Sequence, residues 1–480
     1  MFFRTAIVKS IFFLVFIMAG LLFSQPVYFN SNAKTGIEVN VLSSTNSSTI
    51  IEYIFNGYDQ RSIDIKGKEY LFLSAPNMIW KMDKGDPQIP IFKHSIVIPD
   101  LAAIDYRILS NEVIEIPTRD IMPSKGHFTR NIDPMTVPYS FNKIYEKNVW
   151  YPSKSIELSD PYIVRDLRGM TIQFNPLSYN PLLNELRVNK KIVVEYFNDN
   201  LKESVNPFIR MTPFKGITKE YEDVYKTLFV NYSKGVHEYT PIPEPGKLLI
   251  IYNSVYATQI QQLYDWKVLK GIPTVLAEYP TATGTGATAI KNYILNMYNQ
   301  PGSVTYIILV GESNQIPYLT GNYESAPSDP CYVKLVGSDA YPDAYISRIS
   351  PTSTDNLAYI IKKIIKYERD PDTGVGSEWY HKAVGVASDE FGGTPLADWQ
   401  RMDLIRDTLL NHGFISVDKI YDPGASGTMV ANSVNAGRSL INYIGHGSGT
   451  SWSTTGFNVT QIKSLTNGYK NPFILDVACQ

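Results

Sequence analysis

A chain of 480 residues with 44% apolar content and a net charge of −2 has room for two or three ordinary foldable domains, without strong electrostatic bias. That balance argues against a nucleic-acid partner, which calls for a clustered basic surface. Two cysteines in a chain of this length exclude a disulfide framework, so stability has to come from buried cores. A single Cys331–Cys479 bridge is the less favoured alternative to two free thiols. Tyrosine is abundant at 33 residues while charged residues make up 19%, a mixture suited to the β-rich surfaces of exported proteins.

The amino terminus reads as an export signal over residues 1–24, with Arg4 and Lys9 ahead of an apolar run from Ile11 to Phe23 and the small residue Ser24 before Gln25. That run is shorter than the ~20 residues a membrane span needs, and a retained short anchor is the alternative. No other stretch is long and apolar enough to cross a bilayer, so the remainder is expected to be secreted or at the cell surface, with no stable membrane span. Residues 25–238 are dominated by short alternating runs such as Ile37-Glu-Val-Asn-Val41, Thr49-Ile-Ile-Glu-Tyr-Ile-Phe55, His94-Ser-Ile-Val-Ile-Pro99 and Lys191-Ile-Val-Val-Glu-Tyr-Phe197. Broken by turn residues such as Gly85-Asp-Pro-Gln-Ile-Pro90, they predict a mostly antiparallel β domain. A Pro-rich joint, Tyr239-Thr-Pro-Ile-Pro-Glu-Pro-Gly246, follows as a linker or processing site.

From residue 239 to 480 continuous apolar runs alternate with amphipathic helical patterns. Strands are predicted at Lys247–Tyr252, Pro273–Glu278, Val304–Val310, Ala344–Ile349, Ala383–Ala387, Ser439–Ile444 and Phe473–Ala478. Helices are predicted near Val255–Leu269, Ala287–Tyr298, Thr354–Tyr367, Trp399–Leu410 and Met429–Ala436. Strands apolar on both sides pack as a mostly parallel sheet with helices on both faces. Asp398, just before Trp399, suits a helix N-cap.

Two of these strands end in reactive groups. Tyr443-Ile-Gly-His446-Gly-Ser-Gly closes one, and Cys479 follows another, 33 positions later. A cysteine attacks as thiolate, and a neighbouring imidazole lowers its pKa and carries its proton. Open α/β sheets bind ligands at their carboxyl edge. Gly445 and Gly447 permit close backbone approach, and the Gly447 and Cys479 amides are candidate oxyanion donors. Taken singly, each residue reads better as a packed core thiol or a satisfied loop histidine; their pairing after similar strands is what lifts the functional reading level with that one. Gly284-Thr-Gly286-Ala-Thr-Ala289 follows the second strand rather than the first, so it reads as a plain glycine-rich loop and not a dinucleotide site. No G-x-S-x-G elbow, HExxH motif or paired CxxC occurs. His94, His127, His237, His381 and His412 read as surface or loop residues.

From Tyr239 onward the chain resembles the catalytic domain of the gingipain family of secreted cysteine endopeptidases, peptidase family C25. The matching segments are Tyr239-Thr-Pro, Tyr306-Ile-Ile-Leu-Val-Gly311, Ile346-Ser-Arg-Ile-Ser350, Tyr421-Asp-Pro-Gly424, Asn442-Tyr-Ile-Gly-His-Gly-Ser448, Leu465-Thr-Asn467 and Pro472-Phe-Ile-Leu-Asp-Val-Ala-Cys479. The preceding β-rich segment is similar to the family's propeptide. The resemblance implies a caspase-like α/β fold, His446 as base and Cys479 as nucleophile. It also implies an acid that orients the histidine, either Glu390 or Asp389, with Glu390 favoured, and Asp398 as the carboxylate that receives an Arg or Lys side chain before the scissile bond. No cofactor is required, and calcium occurs in the family as a structural ion with no ligands assignable here. Implied partners are protein or peptide substrates, the chain's own propeptide and the secretion machinery. Gly235-Val-His-Glu238 carries no Arg or Lys at the junction where an arginine-specific relative would cut itself. The sequence stops one residue after Cys479 and is expected to be a fragment with little activity of its own. Two other readings stand beside endopeptidase: a sortase-like peptidase of the type IX secretion system that removes secretion signals, and a non-catalytic surface adhesin or scaffold.

Overall fold

The computed structural model describes residues 25–30, 34–128, 132, 136–211, 216–233, 246–300, 303–322, 325–390 and 396–478. The export-signal segment, most of the Pro-rich joint and Cys479 lie outside the described residues. The antiparallel pattern read before residue 200 forms two sheets. Seven strands, Gln25–Tyr28, Gly36–Ser44, Ser48–Ile65, Lys68–Ser74, Ile104–Pro117, Leu177–Asn180 and Glu185–Asn198, make one. Ile79–Trp80, Pro90–Ile98, Ile156–Leu158, Tyr162–Val164 and Leu167–Phe174 make the other. Alternation decides which side chains meet between them: Ile51 and Tyr53 of the first sheet pack with Ile96, Ile98 and Ile172 of the second, while Glu52 between them pairs outward with Lys191.

The remainder is α/β. Lys247–Asn253 (β1), Thr274–Tyr279 (β2), Val304–Val310 (β3) and Tyr345–Ile349 (β4) form a parallel sheet in the order β2-β1-β3-β4. Lys382–Ala387 (β5), Ser416–Tyr421 (β6), Leu440–Ile444 (β7) and Phe473–Val477 (β8) form a second, in the order β6-β5-β7-β8. The parallel strands read from the sequence thus divide between two four-stranded sheets, and Ser416–Tyr421 is an additional strand. Its alternating Ser-Val-Asp-Lys-Ile-Tyr suits an outer strand and lacks the continuous apolar run that marks the others.

Helices cover both faces. In β1, Leu249 and Ile251 pack beneath Ile290 and Ile294 of Ala287–Tyr298, whereas Leu248 and Ile250 face Ile260 and Leu263 of Ala257–Leu269 and Leu357 and Ile361 of Thr354–Arg369. Each isoleucine so enclosed contributes about 1.5–3 kcal/mol. Ser353 caps Thr354–Arg369, its hydroxyl accepting from the Asn356 amide at 3.1 Å. Over the second sheet, Met402 of Asp398–Asn411 lies against Gly385 of β5, so close that a Cβ on Gly385 would stand 2.5 Å from Met402 Cγ. Val430 and Val434 of Gly427–Asn435 pack with Val384, Val386 and Ile441.

Two local expectations are corrected, and the favoured reading of Cys331 stands. Strand β8, read as buried, is exposed along its length and pairs only with β7 among the described strands. His94, read as a surface or loop residue, lies in the strand Pro90–Ile98, with Nε2 2.8 Å from the Tyr53 hydroxyl. Cys331 is a free thiol. Among the described residues no helix is long and apolar enough to cross a membrane.

Candidate active site

The carboxyl ends of β5, β6, β7 and β8 lie side by side, because all four strands are parallel and in register. This is the edge at which a helix-covered parallel sheet exposes its loops. The connection after β5 leaves Ala387, passes Ser388, Asp389 and Glu390, and returns at Ala397 to begin the helix Asp398–Asn411. It is closed by backbone hydrogen bonds from Asp398 N to Glu390 O at 2.9 Å and from Trp399 N to Ser388 O at 3.2 Å. Ser388 N in turn donates to Ile444 O at 3.1 Å, tying this loop to the end of β7.

His446 follows β7 after a single residue, Gly445. The His446 carbonyl accepts from the Tyr443 hydroxyl and from Ser453 N, the latter at 2.8 Å. Those bonds hold the main chain on which the imidazole turns. Tyr443 is stacked on Trp452, with centroids 4.5 Å apart and ring planes 7° from parallel, and Trp452 Nε1 donates to Asp476 Oδ2 at 3.0 Å. The hairpin after His446 is therefore pinned to β8, which runs on to Ala478 beside the core of this half. Gly445 allows this crowding, since a Cβ there would stand 2.3 Å from Thr454 Oγ1 and 2.6 Å from the Tyr443 hydroxyl. Gly447 opens a two-residue strand paired with Trp452.

The structure brings His446 and Glu390 together, with Nε2 and Oε2 2.9 Å apart and both side chains partly open to solvent. Asp389 is exposed one residue earlier. Asp398 is wholly buried; its Oδ2 accepts from the Ser388 hydroxyl at 2.6 Å, and Arg401 Nη1 lies 3.7 Å from Oδ1. Its expected place as N-cap is taken by Ala397, and Asp398 is the first helical residue. The cap is instead completed by Gln400, whose Oε1 accepts from Ala397 N at 2.8 Å, and that leaves the Asp398 carboxylate to face Ser388. Cys479 lies just beyond the described residues.

Three contributors were not singled out from sequence. Ser388 and Trp452 act through a hydroxyl and an indole whose partners, Asp398 and Asp476, lie 10 and 24 positions away, while Tyr443 bonds the nearby His446 carbonyl; position directly after an apolar strand was the signal available for Ser388. A fourth is Asp422 after β6, whose carboxyl is pushed above its ordinary range by burial and, in addition, by repulsion from Asp389 and Glu390. This edge therefore carries an accumulation of negative charge, suited to an imidazolium or a basic side chain. Among the described residues no three His, Cys, Asp or Glu side chains converge to hold a metal ion.

Known sequences resemble the chain over nearly its whole length. The model for peptidase family C25 matches residues 242–480, and that for the C25 propeptide matches residues 30–232. Gingipain R1 of Porphyromonas gingivalis is 35% identical over 405 residues, spanning 83% of this chain and 40% of that protein. Gingipain R2 of the same organism is 32% identical over 475 residues, spanning 96% and 62%. Lys-gingipain HG66 is 24% identical over 441 residues, spanning 88% and 25%. The chain thus spans less than two thirds of the length of each of these relatives. By these matches the chain belongs to peptidase family C25, the family of the gingipains.

Proposed function

We propose that the chain comprises the propeptide and the cysteine-peptidase domain of an exported endopeptidase, with residues 1–24 as export signal, 25–238 as propeptide and 239–480 as catalytic portion. In this reading His446 Nε2–H donates to the Glu390 carboxylate, which leaves Nδ1 to take the Cys479 thiol proton. The thiolate adds to a peptide carbonyl, with the Gly447 and Cys479 amides facing the oxyanion. As the C–N bond breaks, the imidazolium protonates the leaving amine; water then cleaves the thioester and restores the thiol. Every step is carried by groups of this chain. The observation that carries the reading is the 2.9 Å contact between His446 and Glu390, at the edge toward which β8 runs.

The reading extends to a basic residue before the scissile bond. Support comes from the buried Asp398 carboxylate beneath the β5 connection, the surrounding Asp389, Glu390 and Asp422, and the resemblance to a Lys-gingipain. A buried carboxylate discriminates strongly, since a neutral side chain cannot replace the charge-assisted bonds it offers. An incoming cation would compete with Arg401, 3.7 Å from Oδ1.

The test is to express the protein with its native continuation, remove the amino-terminal segment, and treat it with arginyl and lysyl chloromethyl ketones before mass mapping. Label on Cys479 that is lost in His446→Ala supports the dyad and the basic preference. Absence of label with both probes, in folded protein, sinks the basic-specific reading and shifts weight to a sortase-like or non-catalytic role.

A further inference from the structure

The amino-terminal β domain contacts the α/β part beside the first parallel sheet, and one turn supplies several of the hydrogen bonds between them. Val164 and Leu167 end and begin two paired strands, and Arg165 between them adopts φ 49°. A left-handed backbone costs a non-glycine residue about 1 kcal/mol or more and persists where the surroundings demand that residue. Here they do. The Arg165 side chain is 5% exposed and crosses into the α/β part, where Nη1 donates to Val304 O at 2.9 Å and to Asp343 O at 3.0 Å. Nη2 donates to Thr305 Oγ1 at 3.2 Å, and the Arg165 amide donates to Asp343 Oδ1 at 3.0 Å. The guanidinium lies over Tyr221 of its own domain and Tyr298 of the other, at 4.9 and 5.4 Å from the ring centroids, and Asp166 Oδ2 stands 3.5 Å from Nε.

The receiving surface is prepared for it. Asp343 is fully buried, and its other oxygen accepts from Leu335 N and Val336 N at 2.8 and 2.9 Å. Beside it Asp339 Oδ2 accepts from Ile163 N and Asn206 Nδ2, both at 2.9 Å, and Tyr341 stacks on Tyr162 at 4.1 Å. Buried charge of this kind is costly to leave without its partner.

We propose that the Arg165 turn is the anchor by which the amino-terminal domain stays bound to the α/β part after the chain joining them is cut, with Val304, Thr305 and Asp343 as its socket. The inference rests on reading residues 25–238 as a propeptide. It concerns residues at the first parallel sheet, whereas His446 follows a strand of the second. Arginine suits the task because its planar fork reaches two carbonyls and a hydroxyl at once, which lysine cannot do.

The experiment uses the full chain carrying Cys479→Ala and a recognition sequence for an added, sequence-specific protease between Lys234 and Pro241. After cutting, the dissociation rate of the two pieces is measured on dilution. The parent pieces are expected to co-elute on size exclusion and separate slowly. Arg165→Gly, which relieves the backbone while deleting the fork, is expected to raise the dissociation rate roughly 100-fold, with melting of the uncut chain as the control for folding. Arg165→Lys supplies a second reading with the charge retained and is expected to give roughly a tenfold rise. Parent pieces that part at once on cutting would overturn the anchor, and so would rates unchanged in both variants. Because the chain is inactivated and cut from outside, neither outcome depends on whether it is a peptidase.

Discussion

His446 Nε2 and Glu390 Oε2 stand 2.9 Å apart although the two residues are 56 positions apart in sequence. The contact joins the connection after β5 to the end of β7. In the proposed mechanism a carboxylate there fixes which imidazole nitrogen carries a proton. Glu390→Gln is expected to lower kcat/KM about 10- to 100-fold, a modest loss for an acid–base contact because both side chains are partly solvated. Asp389→Asn, at the exposed neighbouring position, is expected to change it less than about twofold. Steady-state kinetics on the propeptide-free enzyme decides, and equal losses in the two variants would remove Glu390 from the orienting role.

Asp398 offers a buried carboxylate whose replacement separates specificity from chemistry. Asp398→Asn is expected to reduce kcat/KM on arginyl or lysyl substrates about 100-fold while leaving substrates with a neutral residue at that position within a few-fold. Parallel assays on matched peptides measure the ratio. A uniform loss on all substrates would mean that Asp398 supports the Ser388 loop and takes no part in selecting the side chain.

His94 should contribute to the pH dependence of the amino-terminal domain. Burial lowers the pKa of its imidazole from 6.5 to about 4, and Nδ1 is closed off from solvent. The folded state therefore prefers the neutral ring. Its contribution is fully present above pH ~6.5 and is lost as pH falls toward ~4, because only the unfolded chain gains a proton in that window. At roughly 1.4 kcal/mol per pH unit the loss totals about 3 kcal/mol. Melting at pH 7, 5.5 and 4 is expected to show this slope in the parent and a shallower one in His94→Gln, which retains a partner for the Tyr53 hydroxyl; identical slopes would place the acid sensitivity elsewhere.

Gly385 is expected to tolerate no side chain. A methyl group there would meet Met402 Cγ at 2.5 Å and Sδ at 2.9 Å, forcing the helix Asp398–Asn411 away from β5. Gly385→Ala should destabilise the second sheet by about 1–3 kcal/mol. Because that helix begins at Asp398, activity on basic substrates should fall with it. Gly385→Ala/Met402→Ala should recover part of the loss, as read by chemical denaturation. No recovery would show that the clash lies elsewhere.

How much was legible beforehand follows from the range of the interactions involved. The β3 strand Val304–Val310 and the helix Ala287–Tyr298 have the bounds expected from pattern alone, since period and apolar content are local properties. The pairing of alternate faces, Leu249 with Ile290 on one side and Leu248 with Ile260 on the other, was implicit in continuous apolar strands. The β6 strand Ser416–Tyr421 was not legible, because an outer strand needs few apolar residues. Nor was the division of the strands into two sheets. Pattern says that a strand is covered, not which neighbour covers it.

The same boundary runs through the candidate site. By itself the sequence determined the chemical inventory: a histidine after one apolar strand, a cysteine after another, acids after a third, and a family pattern that orders them. Tertiary structure decided which acid meets the imidazole, that Asp398 is turned in toward Ser388 while Ala397 holds the cap, and that Arg165 reaches into the socket of Thr305 and Asp343. The physical reason is common to all three. Hydrogen bonds and ion pairs form over about 3 Å between groups brought together by the packing of entire sheets, and no local period in a chain encodes that distance.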